Sequence, residues 1–178
     1  MTPIMKFEGI YTPVVTPYDG EGNVVWDALA AVVDHLVDNG VHGLISGGST
    51  GENYAQTVEE RLELARFTAQ RLAGRLPLIV GTGTMRTPDS VALAEGAAEL
   101  GADAILVATP PYSVPTEREN ALNVLTIDRA ADLRAGHLRA HDHALFVGLP
   151  LHDEVVLADG LRVQFPRALA GATERRNT

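Results

Sequence analysis

Six consecutive residues, Gly47-Gly48-Ser49-Thr50-Gly51-Glu52, combine the features that recognition of a small anion needs. Glycines let successive backbone N–H groups converge on one point, and the two hydroxyls add donors. The segment follows the apolar run VHGLIS and precedes a helical pattern, so it stands at the carboxyl end of a strand, where α/β folds bind ligands. A phosphate-binding Walker loop needs lysine after its last glycine, and Glu52 stands there instead. A carboxylate is the better-suited anion. The same residues also suit a tight strand-to-helix turn that holds no ligand, and the local sequence weighs the two readings evenly.

The remaining chemistry is narrow. Of 14 basic side chains only Lys6 is a lysine; the others are arginines. A mechanism that needs an amine nucleophile elsewhere is excluded, because guanidinium stays protonated. There is no cysteine, which removes disulfides, thiolate nucleophiles and cysteine metal sites. His137, His141 and His143 lie close together, the first two at helical i, i+4 spacing. No HExxH pattern accompanies them, so they read as a polar surface segment and no metal is assigned. His35 and His42 read as ordinary residues of a helix face and a strand start. The run EERLELAR, which includes Arg61, reads as a solvated helix face.

These residues sit in a chain of 178, with 46% hydrophobic and 21% charged residues and mean hydropathy +0.04. That balance suits one globular domain with a real core. The net charge of −9, without a basic cluster, argues against nucleic acid and anionic membranes as partners. No apolar run reaches the roughly 18 residues of a membrane helix. The N-terminal MTPIMKFEG lacks an apolar signal core, so the expected location is the cytoplasm.

Up to about residue 133, strand and helix signals alternate. IYTPVVTPY reads as a short strand broken by prolines. WDALAAVVDHLVDN carries apolar residues at helical spacing, with Gly40 as its stop. After VHGLIS and the glycine turn, Thr57 with Glu60 makes a capping box for a helix that stops at Gly74. LPLIVGTG is the next strand. Thr87 is expected to cap a helix with Pro88 at its first position, running to about Leu100. ADAILVAT, the loop PPYSVP and the helical TERENALNVLTIDRAADL follow. Apolar strands separated by helices predict a parallel sheet covered on both faces. The period of roughly thirty residues fits a (β/α)8 barrel or a doubly wound sheet. A nucleotide-binding doubly wound sheet lacks support, since no GxGxxG loop is present.

The segments FEGIYTPVVTPY, GGSTGE, PLIVGTGT and ADAILVATPPYSVP, in that order, resemble the dihydrodipicolinate synthase and N-acetylneuraminate lyase family of class I aldolases over residues 5–133. The resemblance implies a TIM-barrel (β/α) fold, usually tetrameric. It also implies Schiff-base aldol chemistry, without a cofactor, on pyruvate or a related 2-oxo acid. Ser49 and Thr50 match the pair that holds the 2-oxo acid carboxylate and joins in proton relay, with Gly48 beside them. The Gly-Ser-Thr-Gly-Glu form is closer to the lyase branch than to the Thr-Thr form of the synthase branch. Thr16 and Pro17 match the first-strand Thr-Pro near the pocket. Tyr112 matches a tyrosine that reaches across a dimer interface toward the neighbour's site; an aromatic that merely packs its loop is the other reading.

Past Leu133 the pattern changes. The family continues with a strand ending in Tyr-Asn and then a strand carrying the Schiff-base lysine; here RAGHLRAHDH follows, and no tyrosine comes after Tyr112. HALFVGLPL, DEVVLA and LRVQF read as short strands, with a hairpin around Asp159-Gly160. The expected organisation is therefore an incomplete barrel of about four β/α units over residues 1–133 and a divergent tail over 134–178. Lys6 precedes the first strand and is expected at the face opposite the chemistry. The chain reads as a family lyase by descent, inactive alone. The alternative is a non-catalytic module that binds a small carboxylate or pairs with an intact relative. A shifted reading frame near codon 133 would account for the change. Translation of the other frames of the coding DNA should then yield a Tyr-Asn strand and a lysine strand, and their absence sinks the idea.

Overall fold

The structure, a computed structural model, describes residues 9–110, 115–135, 144–147, 154–156 and 162–164. Five strands form one parallel sheet: β1 (Tyr11–Pro13), β2 (Gly43–Ser46), β3 (Leu78–Gly81), β4 (Ala104–Ala108) and β5 (Ala144–Val147). Between successive strands run α1 (Trp26–Asp38), α2 (Val58–Leu72), α3 (Thr87–Glu99) and α4 (Glu117–Ala135). A separate antiparallel pair, β6 (Glu154–Val156) and β7 (Arg162–Gln164), brackets Asp159-Gly160 as the sequence predicts.

Strand order in the sheet equals strand order in the chain. A doubly wound sheet reverses its order at a switch point, whereas a (β/α) barrel adds each strand beside the last. The observed order is of the barrel kind. Packing agrees: both faces of the sheet are covered, one by the helices and the other by side chains of the strands themselves. Leu29 and Val33 of α1, Leu64 and Leu72 of α2, Ala94 and Ala97 of α3, and Val124 and Ile127 of α4 share one core with Leu44, Val80, Ile105 and Val107. The alternate strand residues Ile45, Ile79 and Ala104 are paired neighbours and bury a smaller row, with Tyr11 and Leu106 against it. Side chains alternate across a strand, so this row lies on the other face of the sheet. The strands read as apolar throughout because a barrel interior also buries its inward side chains.

Element ends follow local chemistry. Thr57 Oγ1 accepts from Glu60 N–H, and Glu60 Oε2 accepts from Thr57 N–H, the box read from the sequence; such a cap contributes about 1 kcal/mol. The same box recurs unread at Thr116 and Glu119, where it starts α4. Thr87 does not cap α3. Arg86 occupies the cap position, and Thr87 donates instead to Asn123 Oδ1 at 2.7 Å, tying α3 to α4. Pro88 is then the second helical residue rather than the first, still within the turn whose N–H groups need no partner in the helix. β5 lies beyond the stretch that resembles the family, yet it pairs with β4 in parallel, Ile105 opposite Ala144. The strand-helix period thus runs one strand further than the sequence reading had it. Among the described residues, no helix is long and apolar enough to cross a membrane.

Helices α1 and α2 are joined by Trp26 against Phe67, ring centroids 5.0 Å apart, and by Asp34, which accepts from both Arg71 and Arg75. Hydrogen bonding from Arg71, helped by its charge, holds the Asp34 carboxyl below its ordinary value. A lowered folded-state value means stability present above the unfolded pKa and lost as pH falls through the folded one. Wild type should therefore melt above Asp34→Asn at neutral pH, and the gap should close as pH falls below about 4. Melting curves of both proteins across that range check it.

Candidate functional site

The glycine turn starts where β2 stops. Gly47 has φ +73°, in the left-handed region that favours glycine. Gly48 is extended, and Ser49–Gly51 form a single 3-10 turn. Gly51 N–H donates to the Gly48 carbonyl, and Glu52 N–H to the Ser49 carbonyl, each at 3.0 Å. Gly48 and Gly51 are buried, while Ser49 and Thr50 are exposed. Glu52, at φ +61°, is left-handed despite its Cβ, a conformation uncommon away from glycine. The turn therefore offers its two hydroxyl-bearing residues outward from a packed backbone.

Side chains from three directions hold that backbone. Thr16, just after β1, donates from Oγ1 to the Gly51 carbonyl at 2.8 Å. Gln56 Nε2 donates to the same carbonyl at 2.7 Å and to the Tyr18 hydroxyl at 2.7 Å. Asn53 Nδ2 donates to the Gly47 carbonyl at 2.8 Å. A Cβ on Gly51 would lie 2.8 Å from the Val14 carbonyl, so the turn rests directly on the β1 exit. The structure thus brings Thr16 to the turn that carries Gly48, Ser49 and Thr50. The Thr16 proton is used within the protein, in bracing Gly51. Tyr112, Lys6 and the histidines 137, 141 and 143 lie outside the described residues. Among the described residues, no group of three histidine or acidic side chains is placed to hold a metal.

Arg61 overturns one expectation. It is not part of a solvated face; it is only 4% exposed. Its Nη2 donates to the Gly81 carbonyl at 2.7 Å and reaches the Gly47 carbonyl at 3.5 Å, while Nη1 donates to the Gly83 carbonyl at 3.0 Å. Burial pulls its pKa down to about 10, which leaves it charged at neutral pH. Among the described residues no carboxylate pairs with it, and Nε is buried without a partner. The signal was present in the sequence. Arg61 lies on the stripe of α2 that continues through Leu64, Ala65, Thr68 and Leu72, all buried. The charge count of EERLELAR hid that spacing. Asn53 and Gln56 had no comparable signal, because their role depends on how a turn doubles back.

Close approach of the strand ends completes the geometry. A Cβ on Gly81 would sit 2.3 Å from the Gly47 carbonyl oxygen. Only glycine lets β3 pass the turn at this distance, and Arg61 bridges the two carbonyls.

The model of the dihydrodipicolinate synthetase family matches residues 6–133. The chain belongs to that family. A 4-hydroxy-tetrahydrodipicolinate synthase of Pseudomonas putida (strain W619) is 38% identical over 125 residues, 70% of this chain and 43% of that protein. The crystal structure of CdNal from Clostridium difficile in complex with mannosamine superposes with TM-score 0.74 at 27% identity, over 82% of this chain and 48% of the other. YagE, a prophage protein of the same family from Escherichia coli K12 solved in complex with pyruvate, gives TM-score 0.68 at 32% identity, over 70% and 42%. The chain spans 37% to 43% of the length of the curated relatives it matches. The fold is thus an incomplete (β/α) barrel.

The close passage is testable. Gly81→Ala should destabilise by about 1–3 kcal/mol, since the added methyl meets backbone. Gly20→Ala, where nothing lies within 4 Å and φ is not positive, should stay near neutral. Urea denaturation of the two variants separates the cases.

Proposed function

We propose that this chain carries the carboxylate-binding part of a Schiff-base lyase and takes pyruvate or another 2-oxo acid at the Gly48–Thr50 turn, without turning it over by itself. The observation that carries the reading is the turn. Ser49 and Thr50 are presented outward at a strand's carboxyl end, above a buried and charged Arg61. Family membership supports the substrate class, as does pyruvate in the YagE complex. In this reading Ser49 and Thr50 donate to the carboxylate, Thr16 shapes the turn from below, and Thr50 takes part in proton relay. Tyr112 is assigned by likeness alone to the position that reaches a neighbour's site.

Binding without turnover follows from the amine inventory. A Schiff base converts a 2-oxo acid to an enamine and provides the electron sink; without it a carbanion at C3 has no stabiliser. These 178 residues hold a single lysine, Lys6, ahead of β1. Strand N-termini face away from the ligand end in a barrel.

A second reading has its own observation. Among the described residues, β1 and β5 each have one neighbour, so the sheet has two open edges. Open parallel edges are templates for pairing, which fits a module that docks with an intact relative. Co-purification with a full-length family member supports that reading, and its absence at high concentration removes it.

Pyruvate should raise the melting temperature of the chain, and Ser49→Ala/Thr50→Ala should abolish the rise. Borohydride treatment with pyruvate should leave the mass unchanged. A reduced adduct on Lys6 would overturn the inactivity, and a rise that persists in the double variant would overturn the site.

A further inference from the structure

Among the described residues Arg61 has no counter-charge, and it is almost wholly out of solvent. A buried guanidinium normally needs a carboxylate, because taking a charge out of water costs several kcal/mol. Here the two terminal nitrogens are held by carbonyl dipoles: Gly81 at 2.7 Å, Gly83 at 3.0 Å and Gly47 at 3.5 Å. These three carbonyls come from two different strand exits, those of β2 and β3. Arg61 itself comes from α2, the helix that follows the turn. One side chain therefore fixes where the turn begins, where the adjacent strand ends and where the next helix starts. Its Nε, buried and unpartnered, lies 3.7 Å from the place a Gly47 Cβ would occupy. The cation lies directly under the first residue of the turn.

We propose that Arg61 is the positioning residue of the anion turn. Its fork on the Gly47, Gly81 and Gly83 carbonyls holds Gly48–Glu52 in the form that receives a carboxylate, and its unneutralised charge biases that turn toward anions. The proposal deepens the carboxylate reading and rests on it for the ligand class. The clamp itself stands on geometry. Lysine cannot reproduce it: an ammonium is a point donor, whereas the planar fork spans separated acceptors. Lysine does retain the charge. The two parts of the role thus separate in two substitutions.

The experiment uses the full chain with Arg61→Lys and Arg61→Gln. Amide hydrogen exchange is followed by NMR at Gly51 and Glu52, whose N–H groups close the turn, and at Leu29 in α1 and Leu44 in β2 as controls. Both variants should speed exchange at Gly51 and Glu52 at least fivefold with little change at the controls. Pyruvate serves as the probe ligand. Its dissociation constant should rise at least tenfold in Arg61→Gln and recover by half or more of that loss, on a logarithmic scale, in Arg61→Lys. Turn protection equal to wild type in Arg61→Lys overturns the clamp, as does acceleration spread equally over turn and controls. Equal losses of pyruvate affinity in the two variants overturn the charge contribution. If Arg61→Gln fails to fold, Arg61→Lys decides the clamp by exchange, and its pyruvate affinity, within threefold of wild type or beyond tenfold, decides the charge. If wild type takes no pyruvate, the carboxylate reading and the charge contribution fall together, while the exchange comparison still decides the clamp.

Discussion

A single guanidinium sealed beneath two strand ends sets the terms for everything around it. Desolvating a cation is costly unless its donors are met. Arg61 offsets much of that cost with the carbonyls of Gly81 and Gly83, at and just past the end of β3. Glycine stands at all three residues whose carbonyls the fork engages, Gly47, Gly81 and Gly83, and Gly47 has φ +73°. A side chain at Gly81 would collide with the neighbouring carbonyl, and one at Gly83 would meet Ala108 at 2.9 Å. Close backbone passage and buried charge are two aspects of one arrangement. The turn that presents Ser49 and Thr50 inherits its position from it.

The second layer of support comes from uncharged groups. Thr16, Asn53 and Gln56 each direct a donor at a carbonyl of the turn, so Gly47 and Gly51 accept more than one hydrogen bond apiece. Glu52 stays left-handed within this frame, and strained residues of that kind persist only where the surroundings over-determine them. The hydroxyls that point away from the frame remain available to a ligand.

Much of this was legible in the sequence, and the failures have physical causes. Helices α1 to α4 and strands β2 to β4 announce themselves because periodicity, capping and glycine stops act within a few residues. The Thr57–Glu60 box and the β6–β7 hairpin were readable for the same reason. Thr87 misled because a threonine before a proline suits both a cap and a first-turn position, and its true partner, Asn123, is 36 residues away. Periodicity alone left a barrel and a doubly wound sheet open, since the strands of both are equally apolar; the order of strands in the sheet decides between them. The glycine turn was legible as a turn. Its supports were not, because they depend on which carbonyls face which side chains after folding. Arg61 stood between: its charge argued for solvent, its spacing with Leu64, Ala65 and Thr68 for burial, and burial prevailed.

The matched order of strands in chain and sheet has a consequence for synthesis. Each strand finds its neighbour in the one made just before it, so the growing polypeptide never waits for a distant segment before its next pairing. Domains emerge from the ribosome N-terminal end first, and contacts between adjacent units close with less entropy loss than remote ones. At each stage the newest strand is one adhesive rim of the nascent sheet and β1 is the other. One site of misassociation therefore stays at β1, while the second migrates toward β5 with the emerging chain.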